Sequence, residues 1–248
     1  MFASLINFLS DLALQLNHLL GDNLGLTIII IGMAVRLLMV PLFKKQFDHS
    51  KKMQELQPLI NELKKKHKDD KTKIAEEQSK LFKEHSVNPA AGCLPAIVQL
   101  VFLGVIYRVI RHLLDAGVST MFLGLDLSHP NVFQIHGFPY PLPGALIIAA
   151  AVNQLIVSKM MLPVPLNVDK GDSKEEVEEK ADFAQDLAAT QSNMVYIFPL
   201  LYVVLGYQFP SGLVLYILVG TIIMAIQYYM INGWGGLQPI IDRFSKRT

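Results

Sequence analysis

The chain has 248 residues, of which 52% are hydrophobic, and its mean hydropathy is +0.36. A soluble domain of this length is usually less apolar, so the composition favours an integral membrane protein. The single cysteine, Cys93, excludes an intrachain disulfide framework and a multi-cysteine metal site. The net charge of +1 says little, because the charges are segregated along the chain.

The N-terminal residues 1–22 predict an amphipathic helix that lies on the outer membrane surface. Their start lacks a basic region and a small-residue cleavage site, so we expect no removable signal peptide. The apolar residues recur at helical spacings, at Phe2, Leu5, Ile6, Leu9, Leu12, Leu16, Leu19 and Leu20.

Apolar stretches after this helix predict five membrane-spanning helices. They cover residues 24–43, 92–112, 144–162, 193–209 and 211–231. Twelve lysines lie in 44–88, four in 159–192 and three basic residues in the tail 232–248, whereas 1–23 and 113–143 have none. By the positive-inside rule, the N-terminus is outside and the C-terminus is in the cytoplasm.

Arg36 interrupts a first span that is otherwise uncharged, and it lies eight residues before Lys44. That separation is about 12 Å along a helix, beyond comfortable snorkelling. An arginine near the bilayer midplane costs between about 3 and about 10 kcal/mol or more. Since no Asp or Glu lies in any predicted span, we expect Arg36 to face a water-filled cavity. Gln99 and Gln154 are candidates for its polar lining, and the alternative for each is an interhelical hydrogen bond without further role.

The segment 44–88 predicts a cytoplasmic helical hairpin. Its first seam consists of Met53, Leu56, Ile60 and Leu63, which repeat with 3-4-3 spacing. A polar run then breaks the helix, and Asp70 or Thr72 can cap a second one. The second seam consists of Ile74, Gln78, Leu81 and His85. One long solvated helix is the alternative.

The remaining connections are polar or rich in turn formers. The outer segment 113–143 is expected to be ordered but irregular, whereas the acidic loop 163–192 has few apolar anchors. The second span opens with a distinctive run from Asn88 to Pro95. Within that run Pro89 suits a first helical turn, Gly92 and Cys93 permit close helix approach, and Pro95 is expected to kink or open the helix.

Enzymatic chemistry is not supported by any motif. The sequence has no His-x-x-x-His metal pair, no Gly-x-Ser-x-Gly and no glycine-rich phosphate loop. We therefore predict that the protein is not an enzyme and uses no metal or cofactor.

Several motifs in order resemble the YidC/Oxa/Alb membrane-protein insertases, and the bacterial members most closely. They are Arg36-Leu-Leu-Met-Val-Pro41-Leu, Met53-Gln-Glu-Leu-Gln-Pro58, Asn88-Pro-Ala-Ala-Gly-Cys-Leu-Pro95 with Gln99, Phe122-Leu-Gly-Leu-Asp126-Leu, Asn153-Gln154 with Ser158-Lys159, and Phe209-Pro-Ser-Gly-Leu-Val-Leu-Tyr216. Each motif alone is weak, but their order and spacing across nearly the whole chain are specific.

The resemblance implies five helices around a hydrophilic groove that opens to the cytoplasm and to lipid. The family's groove arginine corresponds to Arg36, and its groove glutamines resemble Gln99 and Gln154. Nascent membrane proteins are the implied substrates, in the bacterial cytoplasmic (inner) membrane. The ribosome, the signal recognition machinery and the Sec translocon are candidate partners, with no nucleotide used and no nucleic acid bound directly.

Two features depart from the family pattern. Ile217 stands where many bacterial relatives have a tryptophan in the groove wall, and the short basic tail does not favour ribosome docking through a long extension. A small channel or transporter with an anion site at Arg36 is the alternative function, although the spans show no internal repeat. A purely structural subunit is a third option.

Overall fold

A computed structural model describes residues 2–67, 70–87, 94–134, 140–161, 183–238 and 241. Asn88, Pro89, Gly92, Cys93 and the loop residues 162–182 lie outside the described residues. Within the described part the chain is mostly helical, with four two-residue strands. The helices are α1 (Phe2–Leu19), α2 (Leu24–Leu38), α3 (Val40–Lys66), α4 (Lys71–Glu84), α5 (Leu94–Asp115), α6 (Ala145–Met161), α7 (Phe183–Gln208) and α8 (Ser211–Asn232).

The predicted first span, 24–43, is not one straight helix. Helix α2 ends at Leu38, and the first part of α3 leaves it at an angle of 57°. Pro41 lies in the first turn of α3, where its missing N–H requires no partner. The hairpin's first helix therefore starts at Val40 rather than at residue 44, and Arg36 lies in the last turn of α2.

One other boundary differs from the sequence expectation. The described part of α7 begins at Phe183, ten residues before the predicted fourth span. The described part of α5 begins at Leu94, directly after residues outside the description, so the expected kink or opening at Pro95 stays a prediction.

Helix α8 is the centre of the packing. It contacts α2, α5, α6 and α7, and α6 packs in turn against α7. The main core joins these helices to α1 through buried side chains, among them Leu24, Ile28, Ile110, Leu113 and Ile147. The N-terminal helix docks on the bundle through a buried side of mixed polarity that includes Ala13 and Asn17, whereas its large apolar residues Phe8, Leu12 and Leu19 are exposed.

The predicted hairpin is present. Helix α3 ends at Lys66 and α4 begins at Lys71, with the Asp70 carboxylate accepting from the Lys73 N–H (3.0 Å) as the N-cap. The buried seam joins Leu56 and Ile60 to Phe82 and Val87, with Leu81 beside them. Gln78 is buried as expected, whereas His85 is exposed because α4 turns Phe82 towards α3.

The outer segment, which was expected to be irregular, contains short β-structure within a mostly helical fold. Met121–Phe122 pairs with Leu125–Asp126, and Val132–Phe133 pairs with Leu142–Pro143, both antiparallel. The segment also receives the start of α8, because the N–H groups of Ser211 and Gly212 donate to the carbonyls of His129 and Leu127, each at 2.9 Å. These contacts satisfy donors that a helix start leaves free.

Helix length and apolar composition support some of the five predicted membrane spans. Among the described residues, α8 alone is long and apolar enough to cross a bilayer by itself, and the bent pair of α2 with Val40–His49 passes the same test together. Helix α6 and the Val195–Gln208 part of α7 are apolar but shorter. The number of five spans stays a prediction.

Gly25 allows the outer segment to dock on α2, because a Cβ at this position would overlap the ring of Phe122. We expect Gly25→Ala to displace that ring and to lower the free energy of unfolding by about 1–3 kcal/mol. Thermal unfolding of the purified full chain measures the loss. Gly104→Ala is the control, because a Cβ there meets nothing within 4 Å; an equal loss in both variants would contradict the docking role.

The side chain of Asp126 stabilises the turn whose carbonyls, those of Leu127 and His129, accept hydrogen bonds from the start of α8. The Ser128 hydroxyl (2.6 Å) and Ser128 N–H (2.9 Å) donate to Oδ1, and His129 Nδ1 lies 3.1 Å from Oδ2. These hydrogen bonds, the Ser128 hydroxyl first, hold the pKa of Asp126 well below its usual range. The carboxylate thus stabilises the folded state above the unfolded pKa of about 3.9, and this contribution declines as the pH falls further.

We therefore expect Asp126→Asn to lower the melting temperature by a constant amount above about pH 5, with the difference from wild type shrinking below about pH 4. Thermal unfolding of both proteins between pH 3 and pH 8 measures this. A difference that stays constant down to pH 3 would show that the charge of Asp126 has no part in it.

Candidate functional site

Four polar side chains from four helices lie inside the apolar bundle, and we call them the polar layer. Its members are Arg36 on α2, Gln99 on α5, Asn153 on α6 and Thr221 on α8. Arg36 is twelve residues from the start of α2, and Thr221 is ten from the start of α8. At 1.5 Å per residue they lie about 18 Å and about 15 Å from those helix starts, near the middle of a hydrocarbon layer of about 30 Å.

The guanidinium of Arg36 is held by three neighbours. Its Nη2 donates to Gln99 Oε1 at 3.2 Å, and its Cζ lies 4.9 Å from the centroid of the Phe43 ring. The Phe43 contact is a cation–π interaction made possible by the bend between α2 and α3. Gln99 is thus a neutral hydrogen-bond partner of Arg36. The resemblance implied that these two residues line the same groove.

Gly220 provides the third contact. A Cβ at this position would lie 2.9 Å from Arg36 Nε and 3.1 Å from Nη2. The guanidinium therefore lies directly against α8 in space that only a glycine leaves open. The hydroxyl-bearing rings of Tyr202 and Tyr216 lie within electrostatic range of the same charge.

Arg36 was expected to face water, but the residue is only 6% exposed. Phe43, Gly220 and Gln99 contact its head group and account for this low exposure. Among the described residues, Arg36 has no carboxylate partner within salt-bridge distance. A buried cation without a counter-ion is costly, and it is a common mark of a functional position inside a membrane.

The other half of the polar layer is a hydrogen-bonded pair. Asn153 Nδ2 donates to Thr221 Oγ1 at 2.7 Å, and Thr221 donates to the carbonyl of Leu218 at 3.0 Å. Thr221 is buried and directly follows Gly220, so this pair borders the Arg36 pocket. Its bonds link α6 to α8 at the depth of Arg36.

The structure does not bring Gln154 to Arg36. Its Nε2 instead donates to Ser158 Oγ on the same helix at 3.3 Å. Ile217, where the resemblance implies a tryptophan in many relatives, is buried in the main core. Phe43 and Gly220 are contacts that the sequence reasoning missed; a glycine within an apolar span was a visible signal, but nothing in the sequence identified its partner.

Metal chemistry has no support from the described residues, which contain no group of three or more His, Cys, Asp or Glu side chains suited to an ion. The largest side chains near the site are aromatic or apolar. A buried guanidinium with a neutral partner can bind a polar or acidic group.

Comparison with known proteins gives one consistent result. Residues 15–235 match the model of the family described as 60Kd inner membrane protein. The chain is 33% identical over 230 residues to the membrane protein insertase MisCA of Bacillus subtilis (strain 168), covering 91% of this chain and 76% of that protein.

Two further relatives carry the name membrane protein insertase YidC. The protein of Fusobacterium nucleatum is 34% identical over 209 residues, covering 84% of this chain and 86% of the relative. The protein of Cereibacter sphaeroides (strain ATCC 17029) is 35% identical over 236 residues, covering 91% of this chain but 35% of the longer relative. This chain therefore belongs to the 60Kd inner membrane protein family.

Proposed function

We propose that the chain is a membrane-protein insertase that accepts nascent membrane proteins from the cytoplasm between its helices and releases them into the bilayer. Membership of the family places it in the bacterial inner membrane. The observation that carries the mechanism is the buried Arg36, which is held by neutral Gln99 and has no carboxylate partner among the described residues.

Gln99 acts as a placeholder for a substrate carboxylate. A guanidinium offers five N–H donors, and the described residues supply Arg36 with one hydrogen-bond acceptor, Gln99 Oε1. A substrate carboxylate would replace this single bond to a neutral amide by paired hydrogen bonds between two opposite charges. The attraction is stronger within the bundle than in water, because the local dielectric constant is lower.

The closed state of the site requires an opening step. Since Arg36 is 6% exposed, the polar segment of a substrate reaches it only when Phe43 or Gln99 moves aside. The bend at Met39 gives α3 a hinge between the hairpin and the polar layer. Burial of the substrate's apolar helix in lipid then drives release, and no nucleotide is consumed.

The proposed topology has five spans, with the N-terminus outside and the C-terminus in the cytoplasm. The segregation of lysines into 44–88 and 159–192 supports it, as do the apolar α8 and the bent pair of α2 and α3. The hairpin of α3 and α4 then extends into the cytoplasm. There it is available to ribosomes, the signal recognition machinery or the Sec translocon.

Reconstitution of the purified full chain tests the function. Liposomes that contain only this protein receive a radiolabelled single-span substrate with an acidic N-terminal segment, and protease protection measures insertion. Halide flux is measured in the same liposomes, and empty liposomes are the control.

We expect insertion above the control without halide flux. Flux without insertion would support the channel alternative with Arg36 as an anion site. The absence of both activities, in protein shown to be folded by its thermal unfolding, would support a structural subunit and overturn the proposal.

A further inference from the structure

One face of α5 changes from apolar to basic along its length. Val101, Gly104, Arg108 and Arg111 follow one another at 3-4-3 spacing and therefore share a side of the helix. All four are exposed in the structure. Leu100 flanks them and is 61% exposed, so the apolar part of this face is uncovered as well.

The two arginines are exceptional in the charge distribution. Apart from Arg36, they are the only Lys or Arg residues outside 44–88, 159–192 and the tail. They lie near the end of α5 that packs with α1, on the opposite side of the bundle from the hairpin. Positive charge on the outer side of the membrane is contrary to the positive-inside rule. A negatively charged ligand at this position would account for it.

Neither arginine has an acidic partner among the described residues. The Arg111 guanidinium lies 5.9 Å from the centroid of the Tyr107 ring, and Tyr107 packs edge-on against Phe209 at 5.2 Å. This stack holds one guanidinium at the helix surface, where the side chain of Arg111 is exposed.

The depth of the pair matches the headgroup region. Arg111 and Arg108 lie four and seven residues before the end of α5 at Asp115, about 6 Å and about 10 Å along the axis. Val101 lies another 10 Å or so deeper, at the level of acyl chains. Between them, Gly104 leaves a notch in which a Cβ would meet nothing within 4 Å.

We propose that this face of α5 binds an anionic phospholipid of the outer leaflet. Arg108 and Arg111 contact the phosphate and its charged headgroup, while an acyl chain lies along Gly104 and Val101. Guanidinium groups suit phosphate because their planar N–H donors form paired, charge-assisted hydrogen bonds. The lipid would thereby tie the outer end of α5, with the docked α1, to the membrane surface.

Native mass spectrometry of the full chain in detergent tests the proposal. The protein is titrated with phosphatidylglycerol or with phosphatidylcholine of the same acyl chains. We expect wild type to retain at least one phosphatidylglycerol with about tenfold preference over phosphatidylcholine. The double variant Arg108→Gln/Arg111→Gln should lose this preference, and Arg108→Lys/Arg111→Lys should keep part of it.

The control is Lys44→Gln/Lys45→Gln, which removes the same charge at the opposite membrane edge. Equal loss of lipid in both double variants would overturn the proposal, since it would reflect net charge alone. Equal retention of the two lipids by wild type would also overturn it. If the arginine variant kept its lipid but lost insertion in proteoliposomes, the face would serve a protein partner instead.

Discussion

Arg36→Met is expected to slow the insertion of an acidic-headed substrate by about 10- to 100-fold while leaving the melting temperature unchanged or higher. Methionine keeps much of the apolar stem but removes a buried cation that has no carboxylate partner among the described residues. The folded state then loses a desolvation cost. The substrate loses a charge-assisted hydrogen bond, which corresponds to an insertion rate lower by about 10- to 100-fold.

The measurement is rescue of cells depleted of their own insertase, combined with thermal unfolding of the purified variants. Arg36→Lys should retain part of the activity, because a point charge replaces the planar guanidinium. A second substrate, with the acidic residues of its N-terminal segment changed to amides, provides the matched control. If Arg36→Met impairs both substrates equally, or inserts the acidic one as well as wild type does, charge attraction is not the role of Arg36.

The sequence was sufficient to identify the polar residues but not their pairing. Arg36 and Gln99 are conspicuous because each interrupts an apolar run, whatever the fold. Gln99 and Gln154 were both candidates for the polar lining, with Gln99 favoured, but spacing along the chain does not determine how two helices are rotated against each other. The structure distinguishes them, with Gln99 on Arg36 and Gln154 on Ser158.

Local geometry was harder to predict than the helices themselves. Pro41 was visible in the first span, but a proline there is compatible with a kink as well as with a new helix start. The ribbon at Met121–Asp126 depends on a turn in which Leu123 and Gly124 have φ values of 49° and 80°. Two-residue strands of this kind give no periodic signal, because the turn alone determines their register.

The N-terminal helix α1 and the hairpin of α3 and α4 agreed with the sequence prediction more closely than the outer segment did. Apolar residues at helical spacings predicted α1, and the polar run from His67 to Thr72 predicted the break between α3 and α4. One member of the predicted seam still differed, since Phe82 is buried there and His85 is exposed. Periodicity determines which side of a helix is apolar to within about one residue. The neighbouring helix then determines which of those side chains are buried.

Gly220→Ala is expected to impair insertion about tenfold, because it acts on the position of Arg36. The new methyl group would lie 2.9 Å from Arg36 Nε and would force the guanidinium away from α8. Overpacking of this kind costs about 1–3 kcal/mol, and the displaced head group gives up its 3.2 Å bond to Gln99. A tenfold loss corresponds to about 1.4 kcal/mol, within that range.

Gly32→Ala is the matched control for this variant. Gly32 faces α8 from α2, but its nearest heavy atoms to an added Cβ, on Tyr216 and Val219, lie 3.5 Å away. Both variants gain the same helix propensity, so the comparison isolates the contact with Arg36. Gly220→Ala should also reduce the preference for the acidic-headed over the amide-headed substrate, which simple loss of packing would leave unchanged. Equal effects of the two glycine variants on insertion and on this preference would mean that Gly220 serves helix packing rather than Arg36.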